Sequence, residues 1–403
     1  MSAPLATADG WRDAPYPRVA FIDDDRVVVA EGSRRTFAPP ATTGAATSLS
    51  MLPPDSVVVG GARFAPTMAA TTAATADAAS PVTGTIDPAW APFGGALWVE
   101  PARLSVQPLA AALSPGPRRP AEATADSVFD ALEVVDVVDR DGPRFEAAVA
   151  GALEAISRGM LEKVVVARRF FVPLRDAWSR VPAWWSSLLA HAATGGGAPY
   201  LIAPVAGCAL LGNSPERLVV VDGDVRTDAV AGTRPVARAA ELVSSDKDAR
   251  EHALVVEHLR RALHETAGEA VVEPRALRTV GAVAHLHTVV RAARPPALRI
   301  DELVRALHPT PAVAGWPVER AVTTLAGLEG FDRGLYGGIV GIVGPRRTAL
   351  SVALRGALIT DDGLSITVGA GVVSGSTVTA EDAETQLKLD AVLGSLGLRR
   401  GMP

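Results

Sequence analysis

Thr348–Val368 reads TALSVALRGALITDDGLSITV. Two apolar, β-branched runs, Thr348–Leu358 and Leu364–Val368, flank Asp361–Gly363, and a short Asp/Gly turn between such runs is a hairpin signal. Hairpins join antiparallel neighbours, whereas parallel strands need long crossovers. The stretch therefore predicts antiparallel sheet. Asp222–Asp224, after the run Arg217–Val221, repeats the device. Further strand-like runs lie at Lys163–Val172, Tyr200–Leu211 and Gly337–Val343, and Arg18–Ala30 reads as a hairpin turning at Asp23–Asp25. Helical spacing begins with Phe145, Val149, Leu153, Ile156 and Met160, and returns near Pro182–His191, Lys247–Thr266, Asp301–Leu307, Pro317–Leu328 and Thr379–Leu396. The fold class this predicts is α+β, with large antiparallel sheets packed as a sandwich and helices at the periphery.

Composition narrows the rest. The chain has 403 residues and a formal net charge of −5, so a basic nucleic-acid-binding surface is not expected. A single cysteine, Cys208, excludes an internal disulfide or a cysteine-rich metal site. No apolar run approaches the roughly 18 to 20 residues of a membrane span, and the first residues carry no basic stretch followed by an apolar one. The expectation is a soluble, cytoplasmic protein without membrane or nucleic-acid partners. Thr67–Ser80 and Ser114–Ala123, rich in Ala, Thr and Pro, read as loops.

Of 39 basic residues only three are lysines, Lys163, Lys247 and Lys388. Arginine replaces lysine freely on a surface but not where a compact, deprotonatable amine is needed. Each lysine is thus a candidate for chemistry. Lys163 is flanked by Val164–Val166 on an apolar strand, where desolvation disfavours the charged form and leaves an amine able to act as a base.

Nine blocks then occur in order: LEKVVVARR (161–169), GNSPERLV (212–219), AVAGTRP (229–235), SDKDAREHALVV (245–256), HLHTVV (285–290), LHPTPAVAGWP (307–317), FDRGLYGGIVG (331–341), ALRGA (353–357) and GAGVVSGS with AEDAETQLK (369–388). This series resembles the chorismate-utilising enzymes, among them isochorismate synthase, salicylate synthase, anthranilate synthase component I and aminodeoxychorismate synthase. The resemblance covers roughly 144–398. It implies one chorismate-binding domain over 1–403, with a variable portion at 1–143 and a catalytic core at 144–398, in a chain that works as a monomer.

The resemblance also implies roles. Lys163 matches the base that deprotonates an attacking water, a position where ammonia-using members differ. Glu216 matches the acid that protonates the departing C4 hydroxyl, so the two groups need environments that push them apart. Glu251 and Glu384 match the carboxylates that bind Mg²⁺, which orients the chorismate carboxylate, with Glu381 one helical turn from Glu384. Arg355 and Lys388 match carboxylate-binding residues, and Gly232, Thr233, Ala312 and Gly369 match positions against the substrate. Lys247 is expected to position its helix or pair with an acid. Asp382 stands where the family often has tryptophan, which leaves the packing there open. Within the family, Lys163 favours water over ammonia, Ala231 stands where aminodeoxychorismate synthases carry lysine, and HPTPAVAG (308–315) looks like isochorismate synthases. Conversion of chorismate to isochorismate is the expected reaction; the alternatives are salicylate formation with loss of pyruvate, or an inactive paralogue that only binds chorismate.

Other signals carry less. His285 and His287 share a strand face but lack a third ligand, so packing is expected, with His285 bordering the cleft by resemblance. Gly195–Gly197 lacks the Lys-Ser/Thr of a phosphate loop, Ser214 is not in a nucleophile elbow, and Trp184–Trp185 reads as core.

Overall fold

In the computed structural model, which describes residues 16–23, 26–37, 45–53, 56–64, 88–93, 96–113 and 132–401, Thr348–Val368 is a hairpin with one interruption. Thr348–Val352 and Gly356–Thr360 are separate strands, and Gly363–Val373 returns antiparallel from the second, with Thr360 opposite Gly363. The break at Ala353–Arg355 was hidden by a continuous apolar run. Arg355 takes φ 54°, a left-handed conformation unusual for a residue with a β-carbon.

That break moves the chain between two halves of one sheet. Lys163–Pro173, Gly363–Val373, Gly356–Thr360, Cys208–Ser214 and Ala198–Val205 follow one another in the first half. Val58–Ala62, Ile339–Val343, Thr348–Val352, Arg217–Val221, Asp224–Pro235 and Val283–Ala293 form the second. Three N-terminal strands join the halves: Arg18–Asp23 pairs with Ala198–Val205, Arg26–Phe37 comes next, and Ala96–Pro108 pairs with Val58–Ala62. Every pairing in this 18-stranded ribbon is antiparallel.

The predicted α+β sandwich follows from how the faces are covered. Phe21, Val28, Tyr200, Ile202 and Leu358 meet Val59, Leu97 and Val340 in a core between the halves. Outside the first half, helices Val181–Gly195 and Val378–Ser395 close a second core that includes Trp184 and Trp185. Outside the second half, Asp246–Ala267 and Ile300–Leu307 contribute Val255, Leu259, Leu303 and Leu307 to a third. These helices fall on helical patterns read from the sequence. Ser245 caps Asp246–Ala267 by accepting from the Asp248 amide, and Thr377 caps Val378–Ser395 by accepting from Ala380.

Tyr200–Leu211, read as one strand, is a hairpin whose second strand begins at Cys208; Gly207, at φ 78°, makes the turn. The first hairpin comprises Arg18–Asp23 and Arg26–Phe37, but Asp24 and Asp25 of its turn lie outside the described residues. So do the loops read at Thr67–Ser80 and Ser114–Ala123 and the first 15 residues. Among the described residues no helix is long and apolar enough to cross a membrane.

Candidate active site

Lys163 opens the strand Lys163–Pro173 and is held on both edges, opposite Val373 on one side and Trp316 on the other. Its side chain is fully buried, with Nζ 2.8 Å from Glu251 Oε1. The contact is an ion pair without hydrogen-bond alignment. Glu251 comes from helix Asp246–Ala267. One turn earlier on that helix, Lys247 donates to Glu381 Oε1 at 2.9 Å and ties it to helix Val378–Ser395. There, Lys388 donates to Glu384 Oε1 and to the Gly369 carbonyl, both at 2.7 Å. The helical i,i+4 pairing of Lys388 and its contact with the neighbouring strand thus coexist.

These groups border a cleft enclosing about 620 Å³ of space open to solvent. Glu216, Gly232, Thr233, Glu251, Ala312, Arg355, Gly369, Glu384 and Lys388 all line it. Lys163 and Glu381 do not line it: Lys163 stands behind Glu251, and Glu381 is held by Lys247. Gly232 turns the wall at φ 68°, with Leu242 and Asp248 pressed against it so that an added β-carbon would lie 3.1 Å from Leu242 Cδ2.

Burial governs the electrostatics. Glu216 is pushed up to about 8 by desolvation, against the downward pull of a Thr310 hydroxyl donating to Oε1 at 3.1 Å and of Lys163. It can therefore remain protonated near neutrality. The backbone around it is fixed by Ser214, whose Oγ donates to the Val352 carbonyl at 2.6 Å and accepts from the Glu216 amide at 3.2 Å. Burial also raises the Glu384 carboxyl, but Lys388, Lys247 and Arg234 outweigh it and hold the group below its ordinary value. In Glu381 burial and the Glu384 charge prevail over Lys247, and the value is raised. Desolvation brings the Arg355 guanidinium down to about 10.

Three contributors were not singled out for these roles. Thr310 orients Glu216. Tyr336 enters the cleft with its phenol raised to about 12 by burial. His285 Nδ1 donates to the Gly232 carbonyl at 2.8 Å, and its Nε2 lies 3.4 Å from Arg355 Nη2, so a neutral ring joins two substrate-side residues. Thr310 and Tyr336 sit inside quoted blocks, but nothing in their spacing marks them. His287 turns to Asp228, at 3.3 Å, and to Arg278. Asp382 pairs with Arg168, which also meets Asp139 and Thr385 and lies over the rings of Phe145 and Phe170. Asp382 thus packs against a buried guanidinium.

Among the described residues no three His, Cys, Asp or Glu side chains gather as a metal site. The set that could hold a cation is Glu251 and Glu384. Two hard oxygen donors beside an anion-binding cleft suit Mg²⁺, which takes one or two carboxylates and completes its shell with water and substrate.

The cleft thus lies between helix-borne carboxylates and an antiparallel sandwich, with a buried lysine behind it and a glutamate whose carboxyl burial raises to about 8. Residues 115–397 match the family model described as chorismate binding enzyme, and the chain belongs to that family. It is 36% identical over 303 residues to the salicylate biosynthesis isochorismate synthase of Pseudomonas aeruginosa, covering 72% of this chain and 60% of that protein. To isochorismate synthase 2, chloroplastic, of Arabidopsis thaliana it is 33% identical over 262 residues, covering 62% and 46%. The chain thus spans less than two thirds of the length of either. The structure described as a 2,3-dihydroxybenzoate-specific isochorismate synthase, DhbC, of Bacillus anthracis superposes with a TM-score of 0.75 at 25% identity, covering 99% of this chain and all of that one.

Proposed function

We propose that the chain is an isochorismate synthase, an isomerase that moves the hydroxyl of chorismate from C4 to C2. The observation that carries this reading is the pairing of a buried lysine with a glutamate that stays protonated near neutrality at one cleft. Lys163 takes a proton from the water that attacks C2. The ring double bonds shift, and Glu216 gives its proton to the departing C4 hydroxyl. Arg355 and Lys388 offer positive charge to the two carboxylates of the substrate, and His285 keeps Arg355 in line with the Gly232–Thr233 wall. Glu251 and Glu384 would hold Mg²⁺, which when bound neutralises the ring carboxylate.

The choice within the family rests on Lys163, on Ala231 in place of lysine, and on HPTPAVAG (308–315), together with the names of the relatives above. Chromatography after incubation with chorismate and Mg²⁺ should give isochorismate, and Lys163→Ala should abolish its formation. Salicylate and pyruvate as main products, or full activity in the variant, would overturn the proposal.

A further inference from the structure

All three lysines of the chain rest on acids of this one region: Lys163 on Glu251, Lys247 on Glu381 and Lys388 on Glu384. The first pair differs from the others. Lys247 and Lys388 hydrogen-bond their carboxylates and are partly open to solvent, whereas Lys163 Nζ is buried with no aligned acceptor. The Glu251 carboxylate borders the cleft and Lys163 lies behind it. Gly371 leaves the space they fill: a β-carbon there would stand 2.5 Å from Glu251 Oε1 and 3.3 Å from Lys163 Cε. The carboxylate that would face a cation in the cleft is therefore the same one whose single negative charge offsets Lys163.

We propose that Lys163 and the divalent cation compete for Glu251, so that Glu251 uncovers the base only by turning to the metal. The proposal rests on the functional reading above, in which Lys163 is the base and Glu251 a metal ligand. One carboxylate edge cannot serve two positive groups at full strength, and a buried carboxylate deprived of its lysine gains most from a cation. Binding and release are then a single coupled equilibrium, and the coupling is reciprocal.

The test needs neither chorismate nor turnover. Mn²⁺ binding is followed by the loss of the free-ion paramagnetic signal, and Mg²⁺ binding by calorimetry, on the whole chain and on Lys163→Met, Lys163→Gln, Lys163→Arg and Glu251→Gln. Circular dichroism selects the folded variants, and the glutamine variant stands in if methionine prevents folding. Removing the charge at 163 should tighten binding by about tenfold or more, within the range usual for coupled sites. Lys163→Arg should stay as weak as the parent, and Glu251→Gln should lose binding. Affinity in Lys163→Met or Lys163→Gln no higher than the parent's, or undiminished affinity in Glu251→Gln, would overturn the proposal. A chain that follows this pattern yet makes no isochorismate defeats the functional reading alone. One that makes isochorismate while its metal affinity ignores residue 163 defeats the competition alone.

Discussion

Glu216 is costly to keep. In the unfolded chain its carboxyl ionises near an ordinary value of 4.5, but burial raises it to about 8 in the folded state. Between those values the unfolded state holds fewer protons, so this group makes stability fall as pH rises, with no penalty below about 4.5 and a plateau above about 8. Glu216→Gln should therefore gain stability over the parent between pH 5 and 8 in urea titrations. It should also lose its proton donor, lowering kcat by roughly a hundredfold or more. The Thr310 hydroxyl stabilises the ionised form. Thr310→Val should thus raise the value further and move the alkaline fall of kcat to higher pH, while Thr310→Ser leaves it in place. Lys163, Asp228 and Arg278, the other charges that act on Glu216, are unchanged by either substitution. Glu216 was singled out in GNSPERLV by resemblance, because an SPE motif is local. Its partner lies 94 positions away and was not.

Among the elements, the segment 329–333 braces the cleft from beneath. Arg333 is buried and paired with Glu329, donates to the Val313 carbonyl at 2.8 Å and to Val165 at 2.6 Å, and so joins two stretches that border the site. Glu329 accepts from the Ala167 amide at 2.7 Å. Removing one member of such a pair strands a buried charge. Arg333→Met should cost about 3–5 kcal/mol in chemical denaturation, and adding Glu329→Gln should recover much of it. The main helices were readable from the 3.6-residue spacing of their apolar positions. The breaks were not: Gly207 and Arg355 interrupt runs that are apolar on both sides, where buried strands carry no alternation to lose.

For the molecule as a whole, the motif-bearing part does not close its own sheet. Arg18–Asp23, Arg26–Phe37 and Ala96–Pro108 lie between the halves, and Val19, Phe21, Val28 and Leu97 supply the core between them. Without them and Val58–Ala62, Ala198–Val205 and Ile339–Val343 would present open, apolar edges. A chain limited to residues 132–403 should aggregate or remain unfolded, as light scattering and near-ultraviolet dichroism would show; a soluble, cooperatively folding fragment would contradict this. Beyond the hairpin in Arg18–Ala30, the N-terminal region resisted reading: Val58–Ala62 pairs with Ile339–Val343, far away in sequence, and Gly60 and Gly61 blur its alternation. Finally, the gathering of every lysine into one region has a practical side. Biotin esters, amine cross-linkers and aldehyde resins find no lysine elsewhere in this chain, so a lysine handle for immobilisation or labelling has to be introduced, remote from the cleft.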